Sequence, residues 1–347
     1  MNRPRSGRRS NSTRALLIVS VGCPAGIGPE VSVAAAAQLS GIGCVLVGDP
    51  ATLAQAAKVV GVDPARLVPF DDRPPPAGKI AVHGAGPALT AADRKPGKPS
   101  KRSGEAQLAW VEAAYALTKA RPGRALVTGP VSKTAIATSG LARARRFRGH
   151  TEWLRDLDGA DKSVMCFASD KLVTSVVTTH VPLSRVPRAL TGPGVRDATV
   201  ELGRLLLQLG VKSPTVAVAS LNPHAGESEL LGGEEKSAIV PGIEAARRTL
   251  GKRVRVLGPI GAETAYRKAF AGGYSGVVAM YHDQATIPMK LVAFGDAVNV
   301  TLGLSVVRTS VDHGTAYDIA WRGKADEKGM LAAMRLAARL LSGAADG

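Results

Sequence analysis

Three histidines share one context, because each follows a short apolar segment that is typical of a buried parallel strand. The carboxyl end of such a strand is where open α/β sheets bind their ligands. The three are His180 after residues 172–179, His224 after residues 215–222 and Pro223, and His282 after residues 276–281. Three neutral imidazoles with one open position form a catalytic site for zinc or a similar ion. The pattern therefore predicts a three-histidine metal centre, the alternative being hydrogen-bonded structural histidines.

The residues after the third histidine could bind an anion. Asp283 follows it directly, either as a cap residue or as a carboxylate that orients a metal ligand. Lys290, Asn299 and Arg308 come next along the chain. Each is compatible with a solvated surface. Together they are typical of an anion site, because arginine forks onto phosphate and lysine adds a point charge.

These side chains need a framework of strands and helices to position them. The apolar pattern predicts strands at residues 15–21, 44–47, 79–83, 125–127, 164–168, 172–179, 215–221, 254–257, 276–281, 298–302 and 306–311. It predicts helices at residues 29–39, 51–60, 105–120, 195–209, 234–250, 262–270 and 328–341, with two more opening near Lys133 and Trp153. Such alternation indicates an α/β fold with a mostly parallel sheet and helices on both faces.

Composition agrees with an α/β enzyme and weakens a nucleic-acid role. The 347 residues are 45% hydrophobic and carry a formal charge of +17. The basic clusters lack interleaved aromatic residues, and no nucleic-acid-binding motif is present. A basic surface that is solvated, or that attracts an anionic small molecule, is therefore the favoured interpretation.

Cysteine usage and the amino terminus indicate a cytoplasmic protein without a membrane span. The three cysteines are odd in number and form no Cys-x-x-Cys pair, which favours a reducing compartment. Residues 1–14 are predicted to be a disordered basic tail, although Arg8-Arg9 and the following apolar segment also resemble a short twin-arginine or lipoprotein signal. No segment approaches the ~20 apolar residues of a membrane-spanning helix.

Two glycine-containing turns do not match the common nucleotide-binding motifs. Residues 24–30 contain Gly26-x-Gly28 but lack the third glycine of the dinucleotide fingerprint. Residues 129–133 lack the spacing of a Walker A loop.

An ordered set of motifs resembles the 4-hydroxythreonine-4-phosphate dehydrogenase family of pyridoxal phosphate biosynthesis. The set spans about residues 15–340 and comprises Pro24-Ala-Gly-Ile-Gly-Pro-Glu30, Thr128-Gly-Pro-Val-Ser-Lys133, Gly149-His-Thr-Glu152, Thr179-His-Val-Pro-Leu183, Leu221-Asn-Pro-His-Ala-Gly-Glu227, Met280-Tyr-His-Asp-Gln284, Asn299-Val-Thr-Leu-Gly-Leu304 and Arg308-Thr-Ser-Val-Asp-His-Gly-Thr315. Each motif is weakly specific alone, whereas their order is highly specific.

The resemblance implies roles for individual residues. His180, His224 and His282 match the family's divalent-metal ligands, drawn from both subunits of a homodimer, with His282 reaching across the subunit boundary. The residues that match its substrate-contacting positions are His150, Thr151, Lys290, Asn299 and Arg308. A loop resembling the NAD loop of the related isocitrate and isopropylmalate dehydrogenases contains His313, Gly314 and Asp318. The metal would be Zn, Co or Mg, and the cofactor NAD or NADP.

The family's architecture and reaction are implied in the same way. Two α/β lobes are expected, one formed by residues 15–128 plus 297–347, the other, with the metal-binding strand ends and the dimer interface, by residues 129–296. The expected reaction is oxidation of 4-phosphooxy-L-threonine to 2-amino-3-oxo-4-phosphooxybutanoate, which loses CO₂ to give 3-amino-2-oxopropyl phosphate. Candidates for the base are Asp283, Lys133 and a metal-bound water.

Three positions depart from the family pattern. Cys23 replaces an acidic residue, Glu263 replaces an aspartate, and Trp321 replaces a small residue near the cofactor loop. The metal-ligand and phosphate-binding positions are intact, so an active enzyme is still predicted. Two alternatives stay open. One is a sibling dehydrogenase that oxidises threonate or erythronate phosphate or a cyclic diol carboxylate. The other is a non-catalytic binding protein with the same fold.

Overall fold

The computed structural model describes residues 15–343, so the predicted basic tail at residues 1–14 lies outside the described part of the chain. The strands are β1 (Leu16–Ser20), β2 (Gly43–Val47), β3 (Leu67–Pro69), β4 (Ile80–His83), β5 (Arg124–Thr128), β6 (Val164–Ala168), β7 (Val173–Thr178), β8 (Thr215–Ala219), β9 (Arg255–Ile260), β10 (Gly276–Tyr281), β11 (Val298–Leu302) and β12 (Arg308–Val311).

The helices alternate with these strands along most of the chain. They are α1 (Gly28–Ala37), α2 (Pro50–Val59), α3 (Lys101–Lys119), α4 (Lys133–Ala137), α5 (His150–Asp158), α6 (Val186–Ala189), α7 (Gly192–Gln208), α8 (Val240–Leu250), α9 (Ala262–Phe270), α10 (His282–Ala293) and α11 (Lys328–Gly343). No helix within residues 15–343 is long and apolar enough to cross a membrane.

All twelve strands form one sheet in the order β3-β4-β2-β1-β5-β12-β11-β6-β7-β10-β8-β9. Only β11–β12, β11–β6 and β6–β7 pair antiparallel, so the predicted mostly parallel α/β class is confirmed. All five residues of β1 are buried. Since alternate side chains of a strand point to opposite faces, this burial shows that both faces of the sheet are covered at β1.

The β11–β12 hairpin lies in the middle of the sheet and joins its two halves. The strands of residues 16–128 and 308–311 lie on one side of β11, and those of residues 164–281 lie on the other. Asn299 pairs with Ser310 on β12 and with Phe167 on β6. Side chains of this hairpin therefore sit at the centre of the molecule, and the division into two lobes stays a prediction.

Two local structures differ from the sequence prediction. Helix α10 begins at His282 immediately after β10, in a segment that the sequence prediction did not assign to a helix and that contains Pro288. The single helix predicted over residues 234–250 is a π-helical turn, Glu235–Ile239, followed by α8. The first difference matters, because it places Lys290 two turns along a helix that starts with a predicted metal ligand.

Candidate functional site

His180 and His282 lie side by side. His180 follows β7 and His282 follows β10, and these neighbouring parallel strands place Thr178 opposite Tyr281. Because parallel strands end at the same edge of a sheet, the two imidazole rings meet, with their centroids 5.7 Å apart. Two of the three predicted metal ligands thus come together within one chain.

The surroundings of this histidine pair suit metal binding. Burial lowers the pKa of His180, and the charge of Lys133 lowers it further, which favours the neutral imidazole that metals bind. The Glu152 carboxylate, 4.0 Å from His180 Nδ1, opposes that shift. Asp283 Oδ1 lies 2.7 Å from His282 Nδ1, the arrangement in which a carboxylate orients an imidazole and leaves its other nitrogen for a metal.

A cleft of about 290 Å³, here called the polar cleft, opens beside the two histidines. Its lining includes Lys133, His150, Thr151, Glu152, His180, His282, Asn299, Arg308, Asp312 and His313. Four of the five predicted substrate residues therefore line one cavity. The fifth, Lys290, lines a neighbouring cleft instead.

Arg308 is a buried cation without a carboxylate in contact. Arg308 is 3% exposed, and its guanidinium donates to Thr301 Oγ1 at 2.7 Å and to Thr128 Oγ1 at 2.6 Å. Burial lowers the pKa of Arg308 to about 9, so the group stays charged at neutral pH. A buried charge that is hydrogen-bonded only to neutral hydroxyl groups is costly, and an anion in the polar cleft would offset that cost.

Three buried polar atoms in the polar cleft have no hydrogen-bond partner among the described residues. They are His150 Nε2, Asn299 Oδ1 and Arg308 Nε. Burial lowers the pKa of His150 well below its ordinary value, with the charges of Arg308 and Lys133 adding to the effect, so this imidazole is neutral. Buried polar groups in native proteins are normally paired, which makes three unpaired atoms in one cavity a sign of a polar ligand.

Gly149 leaves room for two charged groups at the entrance of the polar cleft. A Cβ atom at this position would lie 3.0 Å from Glu152 Oε2 and 3.5 Å from Lys133 Nζ. Of the two predicted catalytic residues, Lys133 lines the polar cleft. Asp283 does not line it, and its side chain is 70% exposed, so its position supports a role in orienting His282.

His224 does not join the other two histidines. It lies on an exposed turn whose residues 224–229 all have positive φ angles, and it does not line the polar cleft. Within residues 15–343, no three His, Cys, Asp or Glu side chains come close enough to hold a metal ion. The expectation that the metal ligands come from both subunits of a homodimer stays a prediction, and the closeness of His180 and His282 favours an arrangement in which one chain supplies both.

A second cleft, here called the apolar cleft, adjoins the first and has a volume of about 640 Å³. Its lining includes Ile27, Lys290, Ala293, Phe294, Ala297, Asp312, His313, Gly314, Ala316 and Ile319. The predicted cofactor residues His313 and Gly314 line both clefts. The third, Asp318, is exposed and lines neither.

Two of the departures from the family pattern, Cys23 and Trp321, take part in contacts between the turn before α1 and the loop between β12 and α11. The Sγ atom of buried Cys23 lies 3.6 Å from the hydroxyl of Tyr317, in the loop between β12 and α11. Trp321 donates from its indole nitrogen to the Pro24 carbonyl at 2.8 Å. Its backbone N–H donates to the buried carboxylate of Glu30. This loop is thereby fixed to the turn before α1.

The third departure, Glu263, lies on the surface. Its side chain is 75% exposed and pairs with Arg267 one turn later in α9. It lines neither cleft, so the longer side chain leaves the polar cleft unchanged.

The comparison with known sequences identifies the family. A sequence model of the pyridoxal phosphate biosynthetic protein PdxA matches residues 42–337. The chain belongs to this family. The 4-hydroxythreonine-4-phosphate dehydrogenase of Desulfosudis oleivorans is 41% identical over 334 residues, which cover 93% of this chain and 95% of the relative.

Solved structures agree with PdxA membership. The 4-hydroxythreonine-4-phosphate dehydrogenase of Klebsiella pneumoniae superposes with a TM-score of 0.81 and 34% identity, covering 95% of this chain and 98% of that one. A terephthalate 1,2-cis-dihydrodiol dehydrogenase from Burkholderia xenovorans superposes with a TM-score of 0.67 and 29% identity, covering 94% and 98%. These relatives share a dehydrogenase name and differ in substrate.

Sequence reasoning missed two carboxylates of this PdxA-family site, Glu152 and Asp312. Both stand inside motifs that were recognised, Gly149-His-Thr-Glu152 and Arg308-Thr-Ser-Val-Asp-His-Gly-Thr315. Their position next to a predicted ligand was the available signal. The sequence could not show the geometry that brings both residues into the lining of the polar cleft.

Proposed function

We propose that this protein oxidises 4-phosphooxy-L-threonine to 2-amino-3-oxo-4-phosphooxybutanoate, with NAD as hydride acceptor, in the biosynthesis of pyridoxal phosphate. The oxidised acid then loses CO₂ to give 3-amino-2-oxopropyl phosphate. The names of relatives that match nearly the whole chain supply the substrate. The single observation that carries the proposal is the buried, carboxylate-free guanidinium of Arg308 beside a histidine pair.

The phosphate end of the substrate fits the inner part of the polar cleft. Arg308 offers its unpaired Nε, and neutral His150 and Asn299 offer further polar atoms. Lys133 adds a second positive charge at the entrance, and Thr151 adds a hydroxyl. Charge-assisted hydrogen bonds from a planar guanidinium to phosphate are among the strongest polar contacts in proteins.

The histidine pair fits a divalent ion. Neutral imidazoles suit Zn²⁺ or Co²⁺ better than Mg²⁺, which prefers oxygen ligands. Bound there, the ion would polarise the substrate hydroxyl and lower its pKa. His180 and His282 hold that position at the edge of the polar cleft, and Asp283 fixes the ring of His282.

The apolar cleft fits a nicotinamide dinucleotide, which would accept the hydride there. Apolar walls formed by Ile27, Ala316 and Ile319 match an aromatic ring, and Gly314 lets backbone approach the ligand closely. The shared border with the polar cleft brings a substrate carbon and a cofactor ring within reach of each other. We favour NAD and leave NADP as the alternative.

We further propose a homodimer in which the partner subunit completes the metal site. Large apolar side chains are exposed near each histidine in the sequence, among them Leu183 near His180, Leu230 near His224, and Ile287 and Leu291 on α10, with Phe294 directly after that helix. Ile287 and Leu291 lie one turn apart and share one face of α10. Apolar surface of this extent is typical of an interface, and His224 is then the ligand that crosses it.

Two further expectations belong to this proposal. Two lobes, at residues 15–128 plus 297–347 and at residues 129–296, would allow the clefts between them to close on the substrate. The cytoplasm is the proposed location, because Cys23, Cys44 and Cys166 are all free and buried.

A diol carboxylate is the second candidate substrate, favoured by the similarity to the Burkholderia dihydrodiol dehydrogenase. Steady-state NADH formation with 4-phosphooxy-L-threonine, threonate 4-phosphate, unphosphorylated 4-hydroxy-L-threonine and a cis-dihydrodiol carboxylate separates the candidates. We expect the first to give the highest kcat/KM, and removal of its phosphate to lower that value by about 100-fold or more. Activity on the diol alone would support the sibling. No NADH from folded, metal-loaded protein would support a non-catalytic role.

A further inference from the structure

The two clefts meet at three residues only, among those that line them. Asp312, His313 and Gly314 line both the polar and the apolar cleft. A substrate carbon that loses hydride must sit at this border, within reach of both cavities. The base that removes the proton from the hydroxyl group on that carbon must therefore also lie at the border, because a base acts within hydrogen-bonding distance of that hydroxyl, about 3 Å.

Of these three residues, Asp312 has the side chain best placed to accept a proton. It follows β12 directly and is held where the central hairpin ends. Its side chain is 24% exposed, and Oδ2 lies 3.6 Å from Lys290 Nζ on α10. The His313 ring, by contrast, donates from Nδ1 to the Gly314 carbonyl at 3.0 Å, and its Nε2 lies beside Gly329 of α11, which lines the apolar cleft but not the polar cleft.

Charged groups of both signs lie near Asp312: Lys290 is its ion-pair partner, and Asp296 and Asp326 line the apolar cleft with it. Burial raises the pKa of Asp312, while Lys290 and, to a smaller extent, His282 and His313 lower it. Burial outweighs these lowering effects, so the carboxylate binds a proton more readily than an exposed aspartate does. Lys290 nevertheless keeps an ammonium group beside it, which stabilises the ionised form that a base needs.

We propose that Asp312 is the catalytic base of this dehydrogenase and that Lys290 positions it. The inference rests on the proposed function. As the C3–H bond breaks, its electron pair leaves as hydride to the nicotinamide, and the O–H proton passes to the Asp312 carboxylate. The oxygen lone pair closes the C=O bond, so the substrate loses two electrons and the cofactor gains them. Asp312 then returns the proton to solvent.

The other candidate residues for the base do not lie at the border between the two clefts. Asp283 lies outside both clefts and bonds to His282. Lys133 lines the polar cleft but not its border with the apolar cleft. Lys290, predicted to contact substrate, instead contacts the carboxylate at the border.

Asp312→Asn tests the base, with Asp161→Asn as an isosteric control on the exposed surface outside both clefts. We expect Asp312→Asn to lower kcat by about 100-fold or more and to remove the acidic limb of the kcat–pH profile. The affinity for NADH, measured by calorimetry, and the metal content should each stay within about threefold of wild type, since neither NADH binding nor metal binding needs a proton acceptor. A kcat within threefold of wild type, with an unchanged acidic limb, would overturn the inference.

A measurement on unloaded wild-type protein covers the case in which the variant fails to fold. Carboxyl ¹³C resonances of aspartate-labelled protein should show one group that titrates above the usual aspartate range. Lys290→Met should move that titration to still higher pH, because the neighbouring ammonium is gone. If no such resonance exists, the inference is wrong. Wild-type protein that forms no NADH with any substrate would instead contradict the proposed function.

Discussion

His180 and His282 are far apart in sequence, yet their rings lie 5.7 Å apart within one chain. They meet because β10 inserts between β7 and β8 in the sheet. His224, which follows β8, stays outside the polar cleft on an exposed turn. In the proposed homodimer, a three-histidine site would take two ligands from one subunit and His224 from the other.

Hybrid dimers distinguish this arrangement from the one expected from the sequence. A dimer of one His180→Ala chain and one His224→Ala chain keeps one complete site, formed by the histidine pair of the second chain and His224 of the first. After denaturation and random reassembly of the two inactive variants, activity should return to about a quarter of wild type. NADH formation before and after reassembly measures the recovery.

The matched control combines His180→Ala with His282→Ala. These changes remove ligands that one chain supplies together, so no hybrid has a complete site and activity should stay absent. Recovery in this second mixture and none in the first would place the subunit boundary between His180 and His282 instead.

Arg308→Met should separate stability from activity. The buried guanidinium bonds to two threonine hydroxyls and to no carboxylate, so replacing it with an apolar side chain should leave the free energy of unfolding within about 1 kcal/mol of wild type or raise it. The kcat/KM for a phosphorylated substrate should fall by about 100-fold or more, since each charged hydrogen bond contributes ~1.5–3 kcal/mol. Chemical denaturation and steady-state kinetics report the two effects. Strong destabilisation with unchanged kcat/KM would show that Arg308 is structural.

Asp158 should make stability depend on acid pH. It joins α5 to α3 and to the central hairpin through Tyr115, Lys119 and Ser305. Burial opposes its ionisation, but hydrogen bonds from Ser305, Tyr115 and Lys119 outweigh this and lower its pKa to about 2. The folded-state pKa is therefore depressed, and the stabilisation is full above the unfolded value of about 4 and is lost as pH falls towards 2.

Asp158→Asn is expected to lower the free energy of unfolding by about 2 kcal/mol at pH 7. The difference from wild type should shrink as pH falls from about 5 to about 3. Urea denaturation across this range measures it. Asp156→Asn, in the same helix but 66% exposed, is the control and should change little at any pH. A difference that is constant with pH would contradict the assigned shift.

Trp321→Phe should weaken the loop that borders the apolar cleft. The change removes the N–H that bonds to the Pro24 carbonyl and should cost about 1 kcal/mol of stability. Because the same loop carries Ala316 and Ile319, the KM for NAD should rise while kcat changes little. Trp153→Phe is the matched control for stability, since the buried Trp153 Nε1 has no partner among the described residues. Equal loss of stability in both variants would refute the role of the Pro24 contact.

The strand ends could be predicted because each apolar segment ends directly before a side chain that can bind a ligand. Residues 276–281 are apolar and end in His282, and the structure places β10 at those residues. The meeting of His180 with His282 could not be predicted from the residues alone, because strand order in the sheet depends on long-range packing. The apolar pattern of a strand does not reveal which strand pairs with it.

Three predicted site residues lie outside the polar cleft of their own chain, for local physical reasons. Helix α10, which contains Pro288, carries Lys290 to the apolar cleft. His224 lies on a turn at residues 224–229 whose backbone is left-handed throughout, a conformation that the sequence signals only where glycine occurs. Asp318 follows a loop that resembles a cofactor motif, but it lines neither cleft.

The most direct test of the central claim is metal-dependent turnover of 4-phosphooxy-L-threonine. Protein loaded with Zn²⁺ or Co²⁺ should form NADH and 3-amino-2-oxopropyl phosphate in equal amounts, the first followed by absorbance and the second by mass spectrometry. Removal of the metal by a chelator should abolish both products, and adding the ion back should restore them. His282→Ala should stay inactive after the same addition. Neither product from loaded protein, or undiminished turnover in verified metal-free protein, would contradict the account.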